Sequence, residues 1–146
     1  MSWNSTASAS HRIVGFMALG RITRFAKTPP GARRVSVMRR GAAGLKELAP
    51  SIGLLEDFER AKKRLGDRAA AASAIDYERR FKEEIRSSKP ALAALTSLIR
   101  ESAARDLYLM CMCPYLTPGR ACHTYLLLDL ARELDPRVAL AEEPGP

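Results

Sequence analysis

The sequence predicts a single-domain α/β layer sandwich, a mostly parallel sheet flanked by helices, on three observations. A length of 146 residues suits one domain. The second half alternates helical and extended patterns, helix–strand–helix–strand, which is the order of α/β layers. Leu107 to Cys113 is a near-continuous apolar run, the signature of a strand covered on both faces in a parallel sheet. A hydrophobic content of 47% with 27% charged residues is that of a folded globular chain and excludes disorder. A chain of about 150 residues buries roughly 68–70% of its unfolded surface, so its core needs no staples.

Residues 1–10 read as a flexible tail, 11–140 as the domain, and 141–146 as a short acidic flexible end bearing Pro. Ile13 to Leu19 is an apolar patch that reads as a further strand. Two extended segments follow, about Arg21–Ala26 and Arg33–Arg39, with β-branched residues alternating along the second. Between them Thr28-Pro29-Pro30-Gly31 is a turn. From Ser51 the period becomes helical. Ser51 caps a helix that turns Leu54, Leu55, Phe58, Ala61 and Leu65 inward and stops at Gly66. Asp67 to Ala74 is Ala-rich and reads as a helical extension or a loop. Ser73 with Asp76 resembles a capping box, opening a helix with Tyr77, Phe81 and Ile85 at four-residue spacing. Ser87 to Pro90 breaks that helix and starts the next, whose apolar face is Leu92, Leu95, Leu98 and Ile99. After the apolar strand, Pro114 to Arg120 is a loop. Cys122 to Leu134 is a Leu-rich helix stopped by Asp135-Pro136, and Val138–Leu140 is a last short strand.

Charge is uneven. Residues 1–55 hold nine bases and one acid, a net +8, whereas 56–146 holds 15 of each and is neutral. An anionic partner is therefore expected at the first third, with an ordinary basic surface as the plainer reading. Asn4 is the only side-chain amide and 18 of the 24 bases are Arg, a composition that fits a thermophile or a GC-rich genome. No apolar run approaches the roughly 18–20 residues that cross a bilayer, so no membrane partner is expected. A small, polar N-terminus predicts no secretory signal and a cytoplasmic protein whose three thiols are reduced.

The chemistry concentrates in Cys111-Met112-Cys113, a loop, and Cys122-His123. On a strand, Cys111 and Cys113 share one face. The strand's carboxyl end feeds a loop and then a helix N-terminus, the crevice where open α/β sheets bind ligands. A thiol there feels the positive end of the helix dipole, and Arg120 adds charge. Four readings stand: ordinary core cysteines; a metal site of Cys111, Cys113, Cys122 and His123, with the donor set of zinc but not its usual spacing; a disulfide or redox pair; and a reactive Cys122 beside His123 as catalytic residues. For an anionic ligand the candidates are Arg39, Arg40, Cys113 and Arg120. Competing partners are nucleic acid, bound by residues 12–46, and none at all in a metal- or disulfide-stabilised scaffold. Aromatic residues are scarce in 12–46, which makes a poor stacking platform. There is no Gly-rich phosphate loop followed by Lys-Ser/Thr, no G-x-G-x-x-G after a strand and no Ser/His/Asp order.

Several peptides carry a family resemblance. Gly31 to Gly41, Glu47-Leu48-Ala49-Pro50-Ser51, Tyr77 to Ile85, and Leu107 to Cys113 followed by Cys122-His123 occur in the order seen in the domain of unknown function 488 family. Between Arg21 and Leu134 the chain resembles its short YeaO-like group. It departs at Met38, where the family has Asp before Arg, and at Thr124, where its "CHR" variant has Arg. The resemblance implies a Rossmann-like α/β fold and leaves the activity open.

Overall fold

Four parallel strands form one sheet: β1 (Met17–Thr23), β2 (Arg33–Ser36), β3 (Leu107–Cys111) and β4 (Val138–Leu140), in the order β2-β3-β1-β4. The computed structural model describes residues 17–41 and 44–145. Between β2 and β3 run α1 (Ile52–Leu65), α2 (Arg68–Ala74), α3 (Tyr77–Arg86) and α4 (Lys89–Ser102); α5 (His123–Leu134) joins β3 to β4. The expected α/β layers with a parallel sheet are present. Among the described residues no helix is long and apolar enough to cross a membrane.

Period-two alternation decides what each strand face meets. Leu19 lies opposite Leu107 and Val35 opposite Leu109. These residues, with Val37 and Val138, form one core with Leu54, Phe58, Phe81, Ile85, Leu95, Leu126 and Leu127 from the helices. Ile22, Ala26 and Tyr108 form a second, smaller cluster with Ala32 and Met110. Connections β2→β3 and β3→β4 step across the sheet one way and β1→β2 the other. Right-handed crossings then put the helical connections on one face and the 24–32 connection on the opposite one. On that second face the Tyr108 ring lies against Gly20, where any Cβ would meet it at 2.9 Å.

The local start and stop signals largely hold. Ser51 Oγ accepts from Leu54 N at 3.1 Å, and Gly66 ends α1 in the left-handed region at φ 71°. Ser88 Oγ caps α4, with Pro90 in its first turn. Asp67 to Ala74 resolves into a separate short helix, because Asp67 accepts from Ala70 N at 2.8 Å and restarts the chain. The expected Ser73/Asp76 capping box does not form. Asp76 is left-handed (φ 57°) and turns the chain between α2 and α3 without a side-chain cap.

Strand boundaries shift more. β1 straddles the two extended segments expected before residue 27; its ladder ends where Arg24 N donates to Cys111 O and the chain turns, Ala26 N donating to Thr23 O. The expected tail (1–10), Arg12 of the basic first third and residues 13–16 of the first apolar patch lie outside the described residues. The acidic end is tied at two points: Ala141 N donates to Leu19 O at 2.9 Å, and Glu143 pairs with Arg21.

Candidate functional site

β2 and β3 stop at the same edge of the sheet, and α5 starts there. A cavity of about 820 Å3 opens at that edge, lined by Ser36 at the end of β2 and Met38 beyond it, by Met110 to Pro114 at the end of β3, and by Ala121 to His123 at the start of α5. Phe58, Lys62 and Arg68 close it from α1 and α2. This is the position the strand-loop-helix pattern around Cys113 and Cys122 predicts.

Cys111 and Cys113 share the inward face of β3 and its extension, and Cys122 is the extended residue before α5 (φ −151°, ψ 135°). Their three Sγ atoms all lie within 4.8 Å of one another, and Cys122 Sγ is 3.4 Å from Cys111 Sγ. All three are free thiols, with Cys111 and Cys122 buried and Cys113 half-buried. Thr124 Oγ1 sits 3.0 Å from Cys122 Sγ and 3.8 Å from Cys111 Sγ. Burial opposes ionisation of Cys122, but hydrogen bonding with Cys111, Cys113 and His123 outweighs it and brings this thiol well below its ordinary value. For Cys111, the bond with Cys113 lowers the value, while the bond with Cys122 and burial push it up to about 11. Hydrogen bonding with Cys111 and Cys122, then burial, raises Cys113. Of the three, Cys122 is thus the thiol most readily ionised.

Two guanidiniums hold the sulfurs, and neither was singled out from the sequence. Arg21, 1% exposed on β1, donates to Thr124 Oγ1 (2.7 Å), Thr117 Oγ1 (2.9 Å), Pro114 O (3.1 Å) and Cys111 Sγ (3.5 Å), pairs with Glu143 and lies over the Tyr125 ring. It ties the 112–120 loop and the start of α5 to the sheet. Arg68 donates from Nη2 to Cys113 Sγ at 2.9 Å and lies over Phe58. Among the described residues its Nε is the one buried side-chain polar atom without a hydrogen-bond partner.

The other expected site residues divide. Arg39 and Arg40 both line the cavity. Arg39 donates to Pro50 O (3.0 Å) and Lys46 O (3.1 Å), whereas Arg40 makes two bonds to the Glu59 carboxylate (3.0 and 3.2 Å). Arg120 is not brought to the cavity: it is exposed, left-handed at φ 53°, and pairs with Asp129 at 3.0 Å, so its charge is directed along α5. His123 lines the cavity but stands outside the sulfur cluster. Its Nε2 lies 2.7 Å from Val37 O, and since a carbonyl only accepts, Nε2 carries a proton. Its ring meets Phe81 edge-on at 5.6 Å.

The basic first third is largely engaged within the fold. Arg21 is buried, Arg33 pairs with Glu101, and Arg34 donates to Thr28 Oγ1 and to the carbonyls of Arg24 and Ala26. Lys46 donates to Met38 O and Gly41 O. A signal for Arg21 was present: it shares its strand face with Leu19 and Thr23, so a charge stood where a core residue was due. For Arg68 there was none, since only the return of α2 towards the sheet brings it to Cys113.

No curated protein and no solved structure matches the chain. Residues 18–134 match DUF488-N3a, described as the active DUF488-N3 subclade. That span takes in β1 through α5 and every residue of the sulfur cluster, and the chain belongs to the DUF488 family.

Proposed function

We propose that the crevice binds a small oxyanion-bearing ligand, held by Arg68 and Arg39, with Cys122 as the reactive thiol on its floor and His123 beside it. The unpartnered Nε of Arg68 carries this reading. A buried donor without an acceptor costs about 1–3 kcal/mol, and an anion is the acceptor that a guanidinium edge fits best. Arg24 and Arg39 line the same cavity and bond to a thioether and to carbonyls rather than to carboxylates, so their charge is available to a ligand. Cys122 precedes α5, where the helix dipole favours thiolate. The family's description as an active subclade is in keeping with a chemical role for that thiol.

Inorganic phosphate should raise the melting temperature and slow alkylation of Cys122. Arg68→Ala should abolish both effects. Stabilisation that survives Arg68→Ala, or no stabilisation at any phosphate concentration, defeats the reading.

A second reading is favoured by one observation. Three sulfurs within 4.8 Å of one another bracket the S···S edge of about 3.8 Å that a tetrahedral zinc with bonds of about 2.3 Å requires. Cys111, Cys113 and Cys122 would hold it, without His123. Zinc so held would supply a Lewis acid that lowers the pKa of a water bound to it. The hydrogen bonds from Arg21 and Arg68 to Cys111 and Cys113 would fit the charged sulfurs of a metal site. About one zinc per chain in protein purified without an affinity tag would establish the metal. Under about a tenth of an equivalent, with three titratable thiols, would end it.

A further inference from the structure

We propose that Cys111 and Cys122 act as a dithiol pair that reduces a small disulfide bearing carboxylates, Cys122 forming the mixed disulfide and Cys111 resolving it. The pair stands on sulfur geometry alone; the preference for an anionic substrate rests on the crevice reading above.

Cys122 Sγ and Cys111 Sγ are 3.4 Å apart, in contact, and a bond of about 2.05 Å needs only a small closure. The two residues come from separate elements, a strand end and the residue before α5, joined by the irregular 112–121 connection, so the closure need not disturb a regular ladder. Both line the cavity and are therefore open to a ligand held there, although little of either reaches bulk water. Thr124 Oγ1 touches both sulfurs and holds them side by side. Arg39, Lys62 and Arg68 on the cavity wall would receive the carboxylates.

In the first step the Cys122 thiolate attacks one sulfur of RS–SR; the S–S bond breaks, and RS⁻ leaves and takes a proton from water. In the second the Cys111 sulfur attacks Cys122 Sγ as its proton passes through solvent to the departing sulfur; the bond to RS breaks and a second RSH leaves. One dithiol and one disulfide give one protein disulfide and two thiols, with no further oxidant.

The test treats the full chain with glutathione disulfide, which is anionic, and with uncharged bis(2-hydroxyethyl) disulfide, followed by peptide mass mapping. The wild type should accumulate a Cys111–Cys122 disulfide and keep Cys113 free. Cys111→Ser should trap glutathione on Cys122, and Cys122→Ser should react about tenfold more slowly. Glutathione disulfide should react faster than the neutral reagent, with the advantage lost in Arg68→Ala. A mixed disulfide that persists in the wild type, or linkage through Cys113, overturns the pair and leaves the phosphate result standing. Equal rates for the two reagents overturn the anionic substrate class, and the phosphate titration then decides the crevice reading separately. The wild-type map requires no variant to fold.

Discussion

The two halves of β3 and its extension differ although one period-two stripe runs through both. Leu107 and Leu109 are fully buried in the helical core, while two and four residues on, the same face presents Cys111 to Arg21 and Cys113 to Arg68. Backbone alternation cannot tell these positions apart. What changes is the company: the first half packs in the apolar core with α4 and α5, and the second meets Arg21, Cys122, Thr124 and Arg68 at the crevice. The first half should therefore govern stability, and the second should govern chemistry.

The largest expected effect breaks the first half. Leu109→Ala should destabilise the protein by about 2–5 kcal/mol in denaturant titration, through lost burial and an unfilled cavity. Cys113→Ala, on the same face but half-buried, should cost much less. Equal losses would erase the distinction between core and site. Next comes the residue that joins the halves. Arg21→Met removes a buried guanidinium and takes its bonds from Thr117 Oγ1, Thr124 Oγ1 and Glu143, Pro114 O keeping only the donor Thr117 Oγ1, at a cost of about 2–3 kcal/mol. It should also raise the alkylation rate of Cys111 by loosening the 112–120 loop. A stability loss with an unchanged Cys111 rate would make Arg21 a core residue only.

Sequence reading reached the first half more easily than the second. The Leu-rich strand, the Ser51 cap, the Gly66 stop and the helix break at Ser87 to Pro90 are local signals, each settled within a few residues. The crevice was also legible, because Cys-x-Cys before a loop and Cys-His at a helix start place sulfurs at a strand's carboxyl end. What surrounds those sulfurs was not. Arg21 meets partners about a hundred positions away in the chain, Thr117, Thr124 and Glu143. Arg120 had looked well placed beside Cys122, until its left-handed backbone directed it to Asp129. Proximity in sequence misled where the backbone turned sharply.

A smaller effect sharpens the second half through pH. Despite burial, the hydrogen bonds to Cys122 hold its folded value well below the roughly 8.5 of an unfolded thiol. A depressed value contributes stability that is fully present above the unfolded pKa and is lost as pH falls through the folded one. Cys111 has the opposite sign: raised to about 11, it contributes below the unfolded value and loses that contribution as pH climbs through about 11. The melting-temperature gap between wild type and Cys122→Ser should therefore widen as pH rises from 6 towards about 8.5. A constant gap across that range would remove the thiolate from Cys122.

The smallest effect separates two adjacent arginines that the sequence treats alike. Arg40 gives both its bonds to Glu59 and is highly exposed, so a ligand would have to compete with a carboxylate already in place. Arg39 is half-buried against Pro50 and Lys46 carbonyls, which fix its direction and leave its charge uncancelled. For phosphate in the crevice, Arg39→Ala should weaken binding about tenfold, one charge-assisted bond's worth, and Arg40→Ala by less than about twofold. Isothermal titration of both variants at two salt concentrations decides it. A nucleic-acid surface predicts something else. Most bases of residues 12–46 would then contribute alike, and affinity would fall with salt at a log–log slope near −0.9 per contact on duplex. Submicromolar duplex or single-strand binding at physiological salt, untouched by Arg39→Ala, would move the ligand out of the crevice and onto that surface. Equal losses in Arg39→Ala and Arg40→Ala would show that Glu59 yields Arg40 to the ligand, and that carbonyl anchoring gives Arg39 no advantage.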